Sequence, residues 1–220
     1  MRIRKVFVDF FKVFFSFKPR NDKNYIYRAN NFIRSRNQLT EQKFILKKIN
    51  KYKKKIILDY GSNDCYFSTH LNRKYKYYGV DNNKSLQKKN TKIYSKNFIC
   101  LKSKKIPFKK NFFDCIILSH VIAHIYKPKK LINKLRMHLK KNGIIIIVSP
   151  NKYFKFFYFF INIFNNYLPD ETISKHYSIK ELENMNNLSW KILESYSYTI
   201  KNNKIYNNIL NSRFVLILKK

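Results

Sequence analysis

Residues 56–81 read IILDYGSNDCYFSTHLNRKYKYYGVD. A short apolar run, Ile56 to Leu58, closes on Asp59, Gly61 supplies a tight turn, and a helix starts near Cys65. A second run, Tyr77 to Val80, closes on Asp81. Strand, turn, helix and strand, with an acid closing each strand, is the layout of a nucleotide-type cofactor site at the carboxyl edge of a parallel sheet.

Working outward, Thr40 is expected to N-cap a helix to about Tyr52, with Phe44, Ile45, Lys48 and Ile49 at helical spacing. Residues 18–38 are polar and basic and read as a linker. Before them, Val6, Phe10, Val13, Phe14 and Phe17 share one helical face. That helix could dock on the domain, lie in a membrane interface or cap an apolar substrate, so 1–38 is set apart from a domain at 39–220. After Asp81 come a short helix at Ser85–Lys89, a third strand near Asn97–Leu101, and a fourth at Phe113–Ser119. Pro128 opens a helix to about Lys141, Gly143 caps it, and Ile144–Ser149 is a strand apolar on both faces. An aromatic run follows at 152–168. Ser178 and Glu181 form a capping box, and Trp190–Thr199 and Phe214–Leu218 are two closing strands. The sum is an α/β sheet packed between helices.

The formal charge is +35, with hydrophobic residues at 45%, aromatics at 17% and only three glycines. A basic excess ordinarily indicates nucleic acid or an anionic membrane. Here Lys, Asn, Ile, Phe and Tyr, all with A/T-rich codons, dominate together, so codon bias accounts for much of it. Cys65, Cys100 and Cys115 have no metal-ligand spacing and read as buried thiols of a reducing cytoplasm. No metal is expected. The run before Phe17 is broken by Asp9 and Lys12, which argues against a signal peptide. The expected location is therefore the cytoplasm, with peripheral contact at the inner face of an anionic membrane as the added option.

Ile57-Leu-Asp59-Tyr-Gly61-Ser-Asn63-Asp-Cys65 resembles the first motif of the class I S-adenosylmethionine-dependent methyltransferases, a hydrophobic strand followed by Asp-x-Gly-x-Gly-x-Gly. Gly79-Val-Asp81 resembles the second. Phe113-Asp114 through Ser119-His120-Val-Ile-Ala123-His124 resembles the stretch around the fourth strand, and Leu139 to Asn151 the family's turn and fifth strand. The likeness covers roughly residues 40–150. Between Gln42 and Pro169 the only acids are Asp59, Asp64, Asp81 and Asp114, and they fall where the motifs want them. Gly-x-Gly-x-x-Gly of nicotinamide sites is absent.

The resemblance implies a Rossmann-like three-layer sandwich, with a seven-stranded mostly parallel sheet and helices on both faces. It implies S-adenosylmethionine as cofactor, held by Asp59, Gly61, Ser62, Asn63, Asp81, Asn82, Lys102 and Ser119. Gly61 would let backbone approach the ligand, Asp59 would order the turn's amides, Asp81 would accept the ribose hydroxyls, and Asp114 would steady the sheet and the cofactor loop. His120 is the candidate base or substrate-orienting group; His124 and His176 are secondary. The chain departs from the motif at Asn63, Cys65 and Lys102, and has Ala123 where many relatives carry Glu. The aromatic segment, about 152–175, reads as a lid over a small apolar or amphipathic substrate such as a quinone precursor, lipid or lipid-linked sugar. Two alternatives stay open, an RNA methyltransferase and a catalytically decayed binding protein on this fold. Nucleic acid is disfavoured because Ser119-His120-Val-Ile replaces the Asn/Asp-Pro-Pro-Tyr/Phe signature. The sequence leaves the oligomeric state open.

Overall fold

The computed structural model describes residues 7–8, 11, 36–71, 73–84, 86, 98–101, 106–162, 173–184, 190–201, 204–206 and 212–220. In chain order these form α1 (Arg36–Lys51), β1 (Ile56–Tyr60), α2 (Tyr66–His70), β2 (Lys76–Asp81), β3 (Phe98–Cys100) and β4 (Phe113–Ser119). A 3-10 turn (Ile122–His124) leads to α3 (Pro128–His138), β5 (Leu139–Pro150), α4 (Lys152–Asn162), α5 (Ile179–Asn184), β6 (Lys191–Lys201), β7 (Lys204–Tyr206) and β8 (Arg213–Lys219).

The strands lie in the order β3-β2-β1-β4-β5-β8-β6-β7. β3, β2, β1, β4 and β5 run parallel, and β8 is antiparallel to both β5 and β6. All seven expected strands are present. β7 is an additional short strand paired with the end of β6. Because the central strands are parallel, their carboxyl ends share one edge of the sheet. The turns after β1, β2 and β4 therefore converge there from distant parts of the sequence.

Two apolar layers sandwich this sheet, as near-continuous aliphatic strands require. β5 divides its run between them: Ile144, Ile146 and Val148 face Ile45 and Ile49 of α1, while Ile145 and Ile147 face Ile132 and Leu135 of α3. Every one of these nine side chains is at most 5% exposed. Large-to-alanine changes among them should each cost about 2–5 kcal/mol.

Several boundaries differ from the sequence reading. α1 starts at Arg36, and Thr40 is interior to it, its hydroxyl donating back to Arg36 O at 3.1 Å instead of capping. α3 ends at His138, and β5 begins at once with Leu139 paired to Phe113. Gly143 is consequently inside a strand. The left-handed residue is Asn142 (φ 63), where an asparagine is tolerated. Gly143 is still needed, because a Cβ there would lie 2.9 Å from Lys140 O. Part of the aromatic run is helical (α4), whereas 163–172 lie outside the described residues. So do most of the amphipathic segment 5–17, most of the linker 18–38, most of the 85–89 helix and Lys102. Among the described residues no helix is long and apolar enough to cross a membrane.

Candidate active site

The turn from β1 to α2 carries the local chemistry. Gly61, Asn63 and Cys65 have φ values of 78, 45 and 55. Left-handed backbone therefore recurs at alternate residues, at the three places where the resembled motif has glycine. Val80 O accepts the amides of Gly61 and Ser62 at 2.8 and 3.0 Å, and Asp81 Oδ2 accepts that of Asn63 at 3.0 Å. Asp81 Oδ1 accepts the amide of Asn83 at 2.9 Å. Asp81, only 3% exposed, thus clasps both the β1 turn and the β2 turn. Asn82 is exposed between them.

Asp59 has a partner on β2. The turn amides of Gly61, Ser62 and Asn63 go to Val80 and Asp81, while Asp59 Oδ2 accepts the Tyr77 hydroxyl at 2.9 Å. Asp59 is 4% exposed, and burial together with this anion pushes the Tyr77 hydroxyl well above its ordinary range. Gly61 also has a reason within the chain itself. A Cβ there would stand 2.6 Å from Cγ2 of Val121, so glycine lets the β1 turn touch the segment after β4. Asp114 lies at the opposite edge of the sheet, at the start of β4. It accepts the Ile56 amide and pairs with Lys140, both at 2.9 Å, and so steadies the strands without reaching the turn.

Cys65 fits by exchange of volume. Its thiol contacts Ser62 Oγ at 3.5 Å, and a Cβ on Gly79 would meet its sulfur at 2.9 Å. The bulk added at position 65 is housed where Gly79 of β2 has no side chain. Burial pushes the thiol up to about 11, so it stays neutral. Cys100 and Cys115 are also free and buried.

Ser119 ends β4 half-buried, and His120 follows with φ 58, its amide held by Val148 O at 2.8 Å. The structure therefore gathers Asp59, Gly61, Ser62, Asn63, Asp81, Asn82, Ser119 and His120 at one sheet edge. His124 lies in the 3-10 turn beyond it, half-buried, and His176 is buried before α5.

One residue of this edge escaped the sequence reading. Glu41 of α1 is 1% exposed, and its Oε1 lies 2.5 Å from His120 Nε2. Arg213 Nε stands 2.6 Å from Glu41 Oε2, a close charge contact without an aligned hydrogen bond. Tyr198 of β6, paired in register with Arg213 of β8, is buried near the same carboxylate, its hydroxyl not in hydrogen-bonding geometry with it. Burial alone would raise this carboxyl. The His120 and Arg213 charges and the bond from His120 outweigh it and hold Glu41 below its usual range. A signal existed: 41, 45 and 49 recur at i, i+4 and i+8, so Glu41 occupies the buried stripe of α1 beside Ile45 and Ile49.

Comparison with known proteins bears on the fold as a whole. A family described as methyltransferase domain matches residues 32–191, more than two thirds of the chain. No curated protein sequence matches it. Among solved structures it is similar to a SAM-dependent methyltransferase from Archaeoglobus fulgidus, at 20% identity and TM-score 0.61, covering 89% of this chain and 99% of that one. It is also similar to an S-adenosylmethionine-dependent methyltransferase from Clostridium acetobutylicum (16%, TM-score 0.60, 90% and 98% covered). A Pyrococcus horikoshii protein gives 16% and TM-score 0.60, with 96% and 97% covered. At such identities the likeness establishes the fold.

Proposed function

Because this chain belongs to the family of methyltransferase domains, we propose that it transfers the methyl group of S-adenosylmethionine to a hydroxyl of a small apolar or amphipathic molecule, with His120 as the base. The observation that carries the reading is the backbone of the β1 turn. Two of the three motif glycines are gone, yet Asn63 and Cys65 hold the left-handed φ that Gly61 has. Left-handed backbone costs an ordinary residue roughly 1–2 kcal/mol. A turn that keeps its shape against local preference is what a ligand-binding loop requires. The Cys65 thiol, packed on β2, leaves that shape intact.

When bound, S-adenosylmethionine supplies a methyl group made electrophilic by the sulfonium charge. Asp81 would take the ribose hydroxyls, standing where the β1 and β2 turns meet. Asn82 is exposed beside it for the same task. The buried anion of Asp59 gives this edge negative potential in a chain of net charge +35, which suits a cationic ligand end. His120, at the end of β4, would remove the acceptor proton. Support for an apolar acceptor comes from α4, which leaves the same edge after β5 with Tyr153 and Phe157 exposed by 58% and 53%.

Calorimetric titration with S-adenosylmethionine and S-adenosylhomocysteine tests the cofactor. Binding in the wild type should weaken by at least about tenfold in Asp81→Asn, equivalent to about 1.4 kcal/mol. Folded wild-type protein that takes up neither compound would instead make this a binding protein on a methyltransferase fold. Transfer of labelled methyl to a detergent-solubilised polyprenyl phenol, and not to RNA, is the expected acceptor result. Transfer to RNA overturns the small-molecule assignment.

A further inference from the structure

We infer that the buried Glu41 is a positioning residue which fixes His120 with Nδ1 as its basic, outward nitrogen. The inference rests on the methyl-transfer reading for the task of His120, but the two fail separately, because the experiment below needs no cofactor or acceptor.

Three observations lead to it. First, Glu41 is 1% exposed on α1 while the His120 side chain is 36% exposed, so a surface-facing imidazole is seated on a buried carboxylate. A buried carboxylate needs partners, and Glu41 has the Arg213 charge and the His120 hydrogen bond. Arg213 comes from β8 and sets its charge against Oε2, while His120 hydrogen-bonds Oε1. The imidazole is an additional partner, delivered from β4.

Second, His120 meets Glu41 from a left-handed backbone, at φ 58. That conformation is uncommon for a side-chain-bearing residue and costs about 1–3 kcal/mol. The 2.8 Å bond from its amide to Val148 O holds it. A backbone kept in that conformation places the residue that bonds Glu41 directly after β4.

Third, protonation logic fixes the tautomer. With the ring neutral, the Arg213 charge and the hydrogen bond to His120 favour the ionised carboxylate, and an ionised carboxylate only accepts. The nitrogen facing it, Nε2, must therefore carry the hydrogen. In the neutral ring Nδ1 is then bare. When an acceptor O–H gives its proton to Nδ1, the oxygen keeps the bonding electron pair, a new N–H bond forms, and the imidazolium created rests against the Glu41 charge. The groups gathered about the ring are thus Glu41 from α1, with Arg213 and Tyr198 behind that carboxylate.

The test is long-range 15N–1H NMR of the full-length, 15N-labelled wild-type chain at alkaline pH, with the ring assigned by its loss in His120→Asn. The expected result is one Nε2–H tautomer with a bare Nδ1, and a downfield, slowly exchanging Nε2 proton. In Glu41→Ala that proton resonance should be lost and the two tautomers should average, whereas Glu41→Asp should restore part of the single-tautomer signal. An Nδ1–H tautomer in the wild type overturns the inference, and that measurement does not depend on any variant folding. So does an unchanged His120 spectrum in a folded Glu41→Ala.

Discussion

Gly61→Ala should destabilise the chain in a way that depends on Val121. At φ +78, alanine carries about 1–2 kcal/mol of left-handed strain. Its Cβ would stand 2.6 Å from Val121 Cγ2, whereas apolar carbons settle near 3.5–4.0 Å. One side must retreat by about 1 Å, an overpacking cost of about 1–3 kcal/mol. Alanine's less flexible unfolded chain returns about 0.4–1 kcal/mol. The net loss is about 2–4 kcal/mol, or a Tm lower by about 4–16 °C for a chain of this size. Val121→Ala removes the obstructing methyl, so the double variant keeps the strain and loses the clash. It should be more stable than the two single losses predict, by about 1–3 kcal/mol. Urea titration of all four proteins, followed by circular dichroism with m-values compared, measures this. Additivity within about 0.5 kcal/mol would refute the reasoning, and would mean that the glycine serves its backbone angle alone.

The thiols and one ion cluster give further predictions. Cys65, Cys100 and Cys115 are all buried, and burial pushes Cys65 up to about 11. Ellman's reagent at neutral pH should label none of them natively and all three in denaturant; a fast native reaction would contradict this packing. Lys48 and Lys51 of α1 and Tyr52 just after it converge on Glu194 of β6. Burial opposes the Glu194 anion, but those three hydrogen bonds outweigh it and hold the carboxyl at about 2 against an ordinary 4.5. A depressed folded value means that this stabilisation is complete above the unfolded value and fades as pH falls from about 4.5 toward 2. Glu194→Gln should therefore lose less stability across that window than the wild type. Parallel urea midpoints for the two proteins as pH falls would refute it.

The strand registers and the turn were legible because they are local. Alternation and fully apolar runs mark strands in sequence, and an acid after such a run marks where the strand ends. The capping box was equally readable: Ser178 N donates to Glu181 Oε2 at 2.7 Å, and Glu181 N to Ser178 Oγ at 3.1 Å. The start of α1 was misread because Thr40 can hydrogen-bond a helix from inside as well as cap it. The end of α3 was misread because Gly143 looks like a helix cap, whereas close approach to Lys140 O inside a strand is what demands it.

What the sequence by itself determined is the α/β class, the sheet edge bearing the turn, and the acids and His120 that stand there. Those follow from short-range periodicity and from residue types that only a few backbone shapes accept. Only the tertiary structure decided which group each of them meets. Asp81 clasps two turns, Asp59 holds Tyr77, Gly61 yields to Val121, and Glu41 joins His120 across 79 residues. Such partners are set by strand order and by the face a helix lays down. A parallel sheet brings the ends of β1, β2 and β4 together however far apart they lie in the chain, and no local pattern records that meeting.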